Sequence, residues 1–167
     1  MKKLLIKNAK CIATMDGLHS FSTGNEYKDC SIYCENGMIK DIFSEKKEIS
    51  SDIEIDASNH IVLPGLINTH HHLFQTLTKA IIKAQNASLF DWLKILYPIW
   101  SRITSAELKS AVKIGLSELM TSGCTTTSDH LYIFPNGIKL QDEIEVAQTL
   151  GIRFHSTRGS ISIGESN

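Results

Sequence analysis

The stretch "LPGLINTHHHLFQ", residues 63–75, decides how the rest of the chain is read. An apolar run with Pro64-Gly65 near its start passes directly into His70, His71 and His72, three of the 7 histidines in the sequence. With the preceding residues, "HIVLPGLINTH" reads as a strand buried on both faces. Side chains alternate along a strand, so His70 and His72 project to one side and His71 to the other. Two imidazoles one pleat apart can both reach a single metal ion, at about 2.0–2.1 Å each for zinc. In parallel α/β architectures such groups collect at the C-terminal ends of strands, where loops leave the core. An isolated H-x-H is more often a surface pair at a strand end. The strand before it and the pattern after it are what favour a ligand pair here.

That pattern is strand, helix, strand, helix, strand. "SLFDWLKILYPIWSRI" is helical and is expected to break at Pro98. Thr104 opens a helix, with Glu107 three residues on to complete a capping box, and Gly123 ends it. Leu108, Ala111, Val112, Leu116, Leu119 and Met120 fall on one face of that helix. "CTTTSDHLYIF" reads as the next strand. "GIKLQDEIEVAQTLG" is helical, with Leu140, Ile144, Ala147 and Leu150 on one stripe, and "IRFHSTRGS" is a third strand. Strands alternating with helices imply βα units on a parallel sheet.

Upstream, residues 1–60 read as a separate small β-module, and residues 61–167 as the α/β part. Asn36-Gly37 between two apolar runs is a hairpin signal, because both residues tolerate positive φ. Ile53 and Ile55 alternate with acidic residues as in a half-buried strand, and residues 17–29 form a polar loop. Cys30 and Cys34 lie four apart in a strand without a second Cys/His pair, which reads as reduced thiols rather than a structural zinc site.

The 167 residues are 42% hydrophobic and 21% charged with a net charge of −1, enough for an ordinary globular core. Near-neutrality gives no electrostatic case for nucleic acid or an acidic membrane as partner. Lys7, Asn8 and Lys10 interrupt what begins like a signal peptide, and no run approaches the roughly 20 apolar residues of a membrane span. A cytoplasmic protein is expected.

The segment "LPGLINTHHHLFQ" resembles the first barrel strand of the amidohydrolase superfamily, P-G-[LF]-[IV]-[ND]-x-H-x-H. Gln75, "GCTTTSDHLYIFP" and "RFHSTRGSISIGES" resemble its branch of cyclic-amidine deaminases and s-triazine hydrolases, with 8-oxoguanine deaminases the nearest kind. The resemblance implies an α/β fold: the first three βα units or so of a (β/α)₈ TIM-type barrel, preceded by part of a composite β-sandwich. It implies that His70 and His72 ligate one divalent metal, zinc or alternatively iron, and that Gln75 hydrogen-bonds a heterocyclic substrate. Trp100, His130, Tyr132 and Arg158 fall in segments that line the pocket or its loops in such enzymes. The bland readings of those four are a core aromatic, strand-end packing for the two β-strand residues, and a surface ion pair.

The implied activity is metal-assisted hydrolysis of a C–N bond other than a peptide bond, deaminating a cyclic amidine such as 8-oxoguanine or guanine. A bound metal can lower the pKa of its water from 15.7 to about 7, and the step also needs a general acid/base. The family's further histidine ligands, its proton-shuttling glutamate and its metal-binding aspartate would lie beyond Asn167. A (β/α)₈ barrel takes about 250 residues. The expectation is therefore an N-terminal portion, inactive alone, of an enzyme that forms a homo-oligomer when complete. Asp129, His130 and His155 are the local groups available as substitutes for the missing ligands. The competing class is a non-catalytic scaffold or binding module that pairs with another chain.

Overall fold

The computed structural model describes residues 2–17 and 25–160. The chain divides into two compact units, Met1–Pro64 and Gly65–Asn167. The fold is mixed α/β, with one sheet in each unit.

The first unit is a five-stranded sheet built around β1 (Lys3–Ala13). This strand pairs antiparallel with β2 (Glu26–Glu35), which in turn pairs with β3 (Met38–Phe43). β4 (Ile53–Asp56) and β5 (Ile61–Val62) both run parallel to β1. The Asn36-Gly37 turn joins β2 to β3 with φ of 53° and 77°, the left-handed pair expected of that dipeptide. Asn8, at φ 60°, absorbs a register shift between β1 and β2, and its N–H is taken up by the Ser31 hydroxyl at 3.1 Å. A small core of Ala9, Ile12, Cys30, Ile32 and Ala57 holds the sheet. All four cysteines are free thiols.

Two expectations for this unit need correction. Residues 26–29 extend β2 rather than forming a loop, because Tyr27 and Lys28 find partners in Ile12 and Cys11; residues 18–24 of that loop lie outside the described residues. β4 is not half-buried: Ile53 and Ile55 are both exposed. β4 lies at the sheet edge, and among the described residues no second layer covers it.

The second unit carries a parallel sheet in the order β6-β7-β8, from β6 (Leu66–Asn68), β7 (Cys124–Leu131) and β8 (Arg153–Arg158). Helix α1 (Leu89–Trp100) and helix α2 (Ser105–Thr121) lie between β6 and β7 in sequence, and α3 (Leu140–Leu150) lies between β7 and β8. Each boundary has a local cause. The Ser88 hydroxyl accepts the Asp91 N–H at the start of α1. Thr104 and Glu107 form the capping box of α2, with Glu107 Oε2 accepting the Thr104 N–H at 2.7 Å. Gly123 and Gly151 follow α2 and α3 at φ 88° and 81°, which a side chain would strain. Leu108, Val112 and Leu116 of α2 join Leu73, Phe74, Leu96, Trp100, Leu131 and Ala147 in one buried cluster. Leu119 packs against its margin, while Met120 is exposed.

Here too the sequence reading needs correction. Pro98 does not break α1; it sits in the last turn, and the helix runs on to Trp100. Only the hydrogen bond to Lys94 O is forgone there, and Ser101 N–H closes the turn on Tyr97 O at 2.8 Å. The apolar run 60–70 is not one doubly buried strand. It splits at Pro64-Gly65 into β5 and β6, which belong to different sheets, and Ile67 of β6 is 69% exposed because β6 is an edge.

Candidate functional site

The three histidines lie just past β6, on the link to a short 3₁₀ turn, Leu73–Thr78. The end of β7 keeps this link extended although β6 has already ended. The Ser128 hydroxyl donates to Thr69 O at 2.9 Å, His130 N–H to His71 O at 3.0 Å, and Leu73 N–H to Asp129 Oδ1 at 2.6 Å. The alternation expected of a strand therefore persists. The His70 and His72 rings meet edge to face at 5.2 Å between centroids. His71 turns its Nδ1 inward, buried and without a hydrogen-bond partner, 4.0 Å from Asp129 Oδ1. Burial holds the His71 pKa below the ordinary imidazole value, against the opposing pull of Asp129.

His72 Nδ1 lies 2.9 Å from the His130 carbonyl oxygen. A carbonyl only accepts, so Nδ1 is the donor in this contact and Nε2 is the ring nitrogen left for another partner. Fixing one ring nitrogen through a backbone carbonyl is how metal-binding histidines are commonly oriented. His70 and His72 could thus supply two of the ligands a metal site needs. Among the described residues no group of three or more His, Cys, Asp or Glu side chains is arranged to share a metal ion. Asp129 is fully buried and engaged by Leu73, and His155 is exposed on β8, so neither completes the set locally.

A cavity of about 350 Å³ opens beside these rings, bordered by His70, His71, His72, Gln75, Lys79 and Trp92 among others. Gln75 Nε2 donates to Tyr132 Oη at 3.0 Å, which orients the Gln75 amide and leaves the phenol proton free to donate. Burial, with Tyr97 nearby, pushes the Tyr132 pKa up to about 12, so it remains a phenol throughout the neutral range. The Tyr132 ring stands edge-on to His72 at 5.2 Å, and His130 lies 5.5 Å from His72. Gly159 lets these rings close up, since a Cβ there would fall 2.5 Å from His130 Nε2 and 2.6 Å from Tyr132 Cβ.

The expected site residues therefore separate into two groups. His70, His72, Gln75, His130 and Tyr132 come together around the histidine link. Trp100 does not border the cavity: it is fully buried, packs against Phe74 at 5.0 Å, and donates Nε1–H to Thr78 Oγ1 at 3.1 Å. The indole at the cavity wall is that of Trp92, two turns earlier on α1, which sequence reasoning passed over. Arg158 lies at the end of β8 with its guanidinium 4.7 Å over the Phe134 ring, away from the cavity lining. Also missed was Glu143, which is fully buried although it falls in a polar run of α3.

Residues 61–167 match the model of the amidohydrolase family. The whole chain is 40% identical to part of the 8-oxoguanine deaminase of Pseudomonas aeruginosa, covering 36% of that protein. Among solved structures, a triazine hydrolase from Arthobacter aurescens superposes with a TM-score of 0.87 at 27% identity, over 99% of this chain and 37% of that one. An atrazine chlorohydrolase from Arthrobacter aurescens TC1, complexed with zinc, superposes with a TM-score of 0.84 at 26% identity, over 98% of this chain and 37% of that one. The chain thus spans little more than a third of the length of these relatives.

Proposed function

The chain belongs to the amidohydrolase family, and from that premise we propose that it forms the N-terminal part of a metal-dependent deaminase. The substrate class is a cyclic amidine on a purine-like ring, 8-oxoguanine first and guanine second. The preference for 8-oxoguanine is supported by the 40% identity to the Pseudomonas aeruginosa enzyme of that name. The fold proposed for the complete protein is a closed parallel barrel to which β6, β7 and β8 contribute the first strands. A composite β-sandwich would be completed on the first unit.

The observation that carries the reading is the His72 imidazole, fixed by the His130 carbonyl with Nε2 free and His70 alongside. His70 and His72 would hold a zinc ion, whose chemistry when bound is the activation of water at neutral pH. The other ligands and the proton shuttle are assigned to further chain, in keeping with the share of the relatives that these residues cover. The remaining side chains orient the substrate. Gln75 presents its amide oxygen to ring N–H groups while its Nε2 is occupied by Tyr132. Tyr132 can donate its hydroxyl proton without ionising. Trp92 offers a flat apolar wall on which a heterocycle can stack.

The test uses the full-length protein purified with zinc. His70→Ala combined with His72→Ala is expected to abolish zinc retention by elemental analysis and ammonia release from 8-oxoguanine. Unchanged zinc stoichiometry would sink the ligand assignment. A zinc-loaded wild-type protein that releases ammonia from none of the purine substrates would sink the deaminase reading and leave the metal site standing.

A further inference from the structure

Asp129 and Glu143 are both fully buried, one on β7 and the other on α3, and the proposed chemistry uses neither. A buried carboxylate without a cation beside it is costly. Among the described residues no lysine or arginine pairs with either, and His71 Nδ1, at 4.0 Å from Asp129 Oδ1, is beyond hydrogen-bonding distance. Hydrogen-bond accounting narrows the arrangement. Asp129 Oδ1 accepts the Leu73 N–H at 2.6 Å, and Glu143 Oε2 accepts the Ser156 hydroxyl at 3.4 Å. The two remaining oxygens, Asp129 Oδ2 and Glu143 Oε1, receive no N–H or O–H from any other group. Asp129 stands opposite Ser156 in the β7–β8 register, and the Ser156 hydroxyl reaches Glu143, so the two buried carboxyl groups lie on the same side of the sheet around one serine. Two ionised carboxylates are acceptors only, so one proton held between them accounts for both otherwise unpartnered atoms.

We propose that Asp129 and Glu143 form a proton-sharing positioning pair that fixes the peptide immediately after the paired histidines. Asp129 grips the Leu73 N–H, and Glu143 holds Asp129 from α3. This rests on the reading of His70 and His72 as metal ligands. Among the β7 contacts to the histidine link, those of Ser128 and His130 come from β7 alone. The Asp129 contact is also tied to a helix, so α3 braces the link through it. Burial, reinforced by Asp129, raises Glu143 to about 9, in keeping with a carboxylic acid that keeps its proton at neutral pH.

The experiment compares Glu143→Gln, which keeps an N–H donor facing Asp129, with Glu143→Met, which keeps the approximate size and loses the donor. Both are made in the full-length protein. Zinc affinity is measured by competition with a chelator. Glu143→Met is expected to bind zinc about 10- to 100-fold more weakly and Glu143→Gln within about threefold of wild type, since removing the partners of metal-bound histidines costs affinity on that scale. Equal weakening in both variants overturns the proposal. In the metal-free wild type at pH 7, the infrared spectrum is expected to show a protonated-carboxyl C=O stretch that Glu143→Gln removes. Absence of that band overturns the pair itself, even if Glu143→Met fails to fold. Zinc retention by the His70→Ala, His72→Ala protein overturns the ligand reading, and with it the link to metal, without touching the infrared result.

Discussion

Two tryptophans two turns apart on α1 face different surroundings. Trp100 is ringed by Phe74, Trp92 and Tyr97 at 5.0–5.5 Å, with its N–H given to Thr78. Truncating it removes a large buried surface and leaves a cavity that close-packed neighbours cannot fill. Trp100→Ala is therefore expected to lower stability by about 3–5 kcal/mol. Trp92 is half-buried and borders the cavity, so Trp92→Ala should cost under about 2 kcal/mol, because less surface is lost and water can enter. Urea unfolding of the two variants reads the difference, and a reversed order would contradict the assignment of core and wall. The sequence could not rank these residues. Eight residues advance a helix by little more than two turns, so both indoles fall on overlapping faces and only tertiary packing separates them.

At the scale of elements, the signals with a local cause were legible and those with a distant one were not. The Asn36-Gly37 turn, the Thr104–Glu107 capping box and the glycine stops at 123 and 151 are set by residues within one turn of each other, and all are present. The division at Pro64-Gly65 was not legible, because apolar content does not say which sheet a residue joins. What fixes β6 against β7 is a close approach: a Cβ on Gly65 would lie 2.2 Å from Thr125 Oγ1 and 2.7 Å from Thr125 Cβ. Gly65→Ala is expected to push β6 away and cost about 1–3 kcal/mol, with amide exchange faster at Leu66 than on α3. A stability equal to wild type would mean that the strand can shift without loss. Glu143 escaped notice for a related reason: it lies on α3 and Asp129 on β7, far apart in sequence, and helical periodicity registers only apolar positions. Its pKa is raised from 4.5 to about 9 in the folded chain. The folded state therefore holds a proton that the unfolded chain releases above pH 4.5. That contribution to stability is fully present below about pH 4.5 and is lost as pH rises to about 9, with a slope of up to about 1.4 kcal/mol per pH unit. The upward shift of Asp129, caused by burial, acts in the same direction. In metal-free protein Glu143→Gln should flatten that slope, and a flat wild-type profile would contradict the buried acid.

At the scale of the whole molecule, each unit on its own leaves apolar surface and strand edges bare. In the first, Met38, Ile39, Ile53, Ile55 and Ile61 are exposed on β3, β4 and β5. In the second, β6 and β8 are both edges among the described residues, and β6 exposes Leu66 and Ile67. The sequence read these apolar runs as buried because burial is what such composition ordinarily means. Under the proposed closed barrel, the neighbours that cover them would belong to further chain. Monomeric proteins seldom leave edge strands of this kind uncovered, because unpaired N–H and C=O groups recruit other strands. The 167 residues expressed alone are therefore expected to self-associate, with a sedimentation coefficient that rises with concentration. Ile67→Lys, which sets a charge on the free edge, should shift that distribution toward monomer without altering far-ultraviolet circular dichroism. The same substitution in the full-length protein should instead destabilise it by several kcal/mol, because a lysine would then be forced into a closed interior. A monodisperse monomer of the 167 residues, indifferent to Ile67→Lys, would mean that these units cover their own edges and that no missing strands need be invoked.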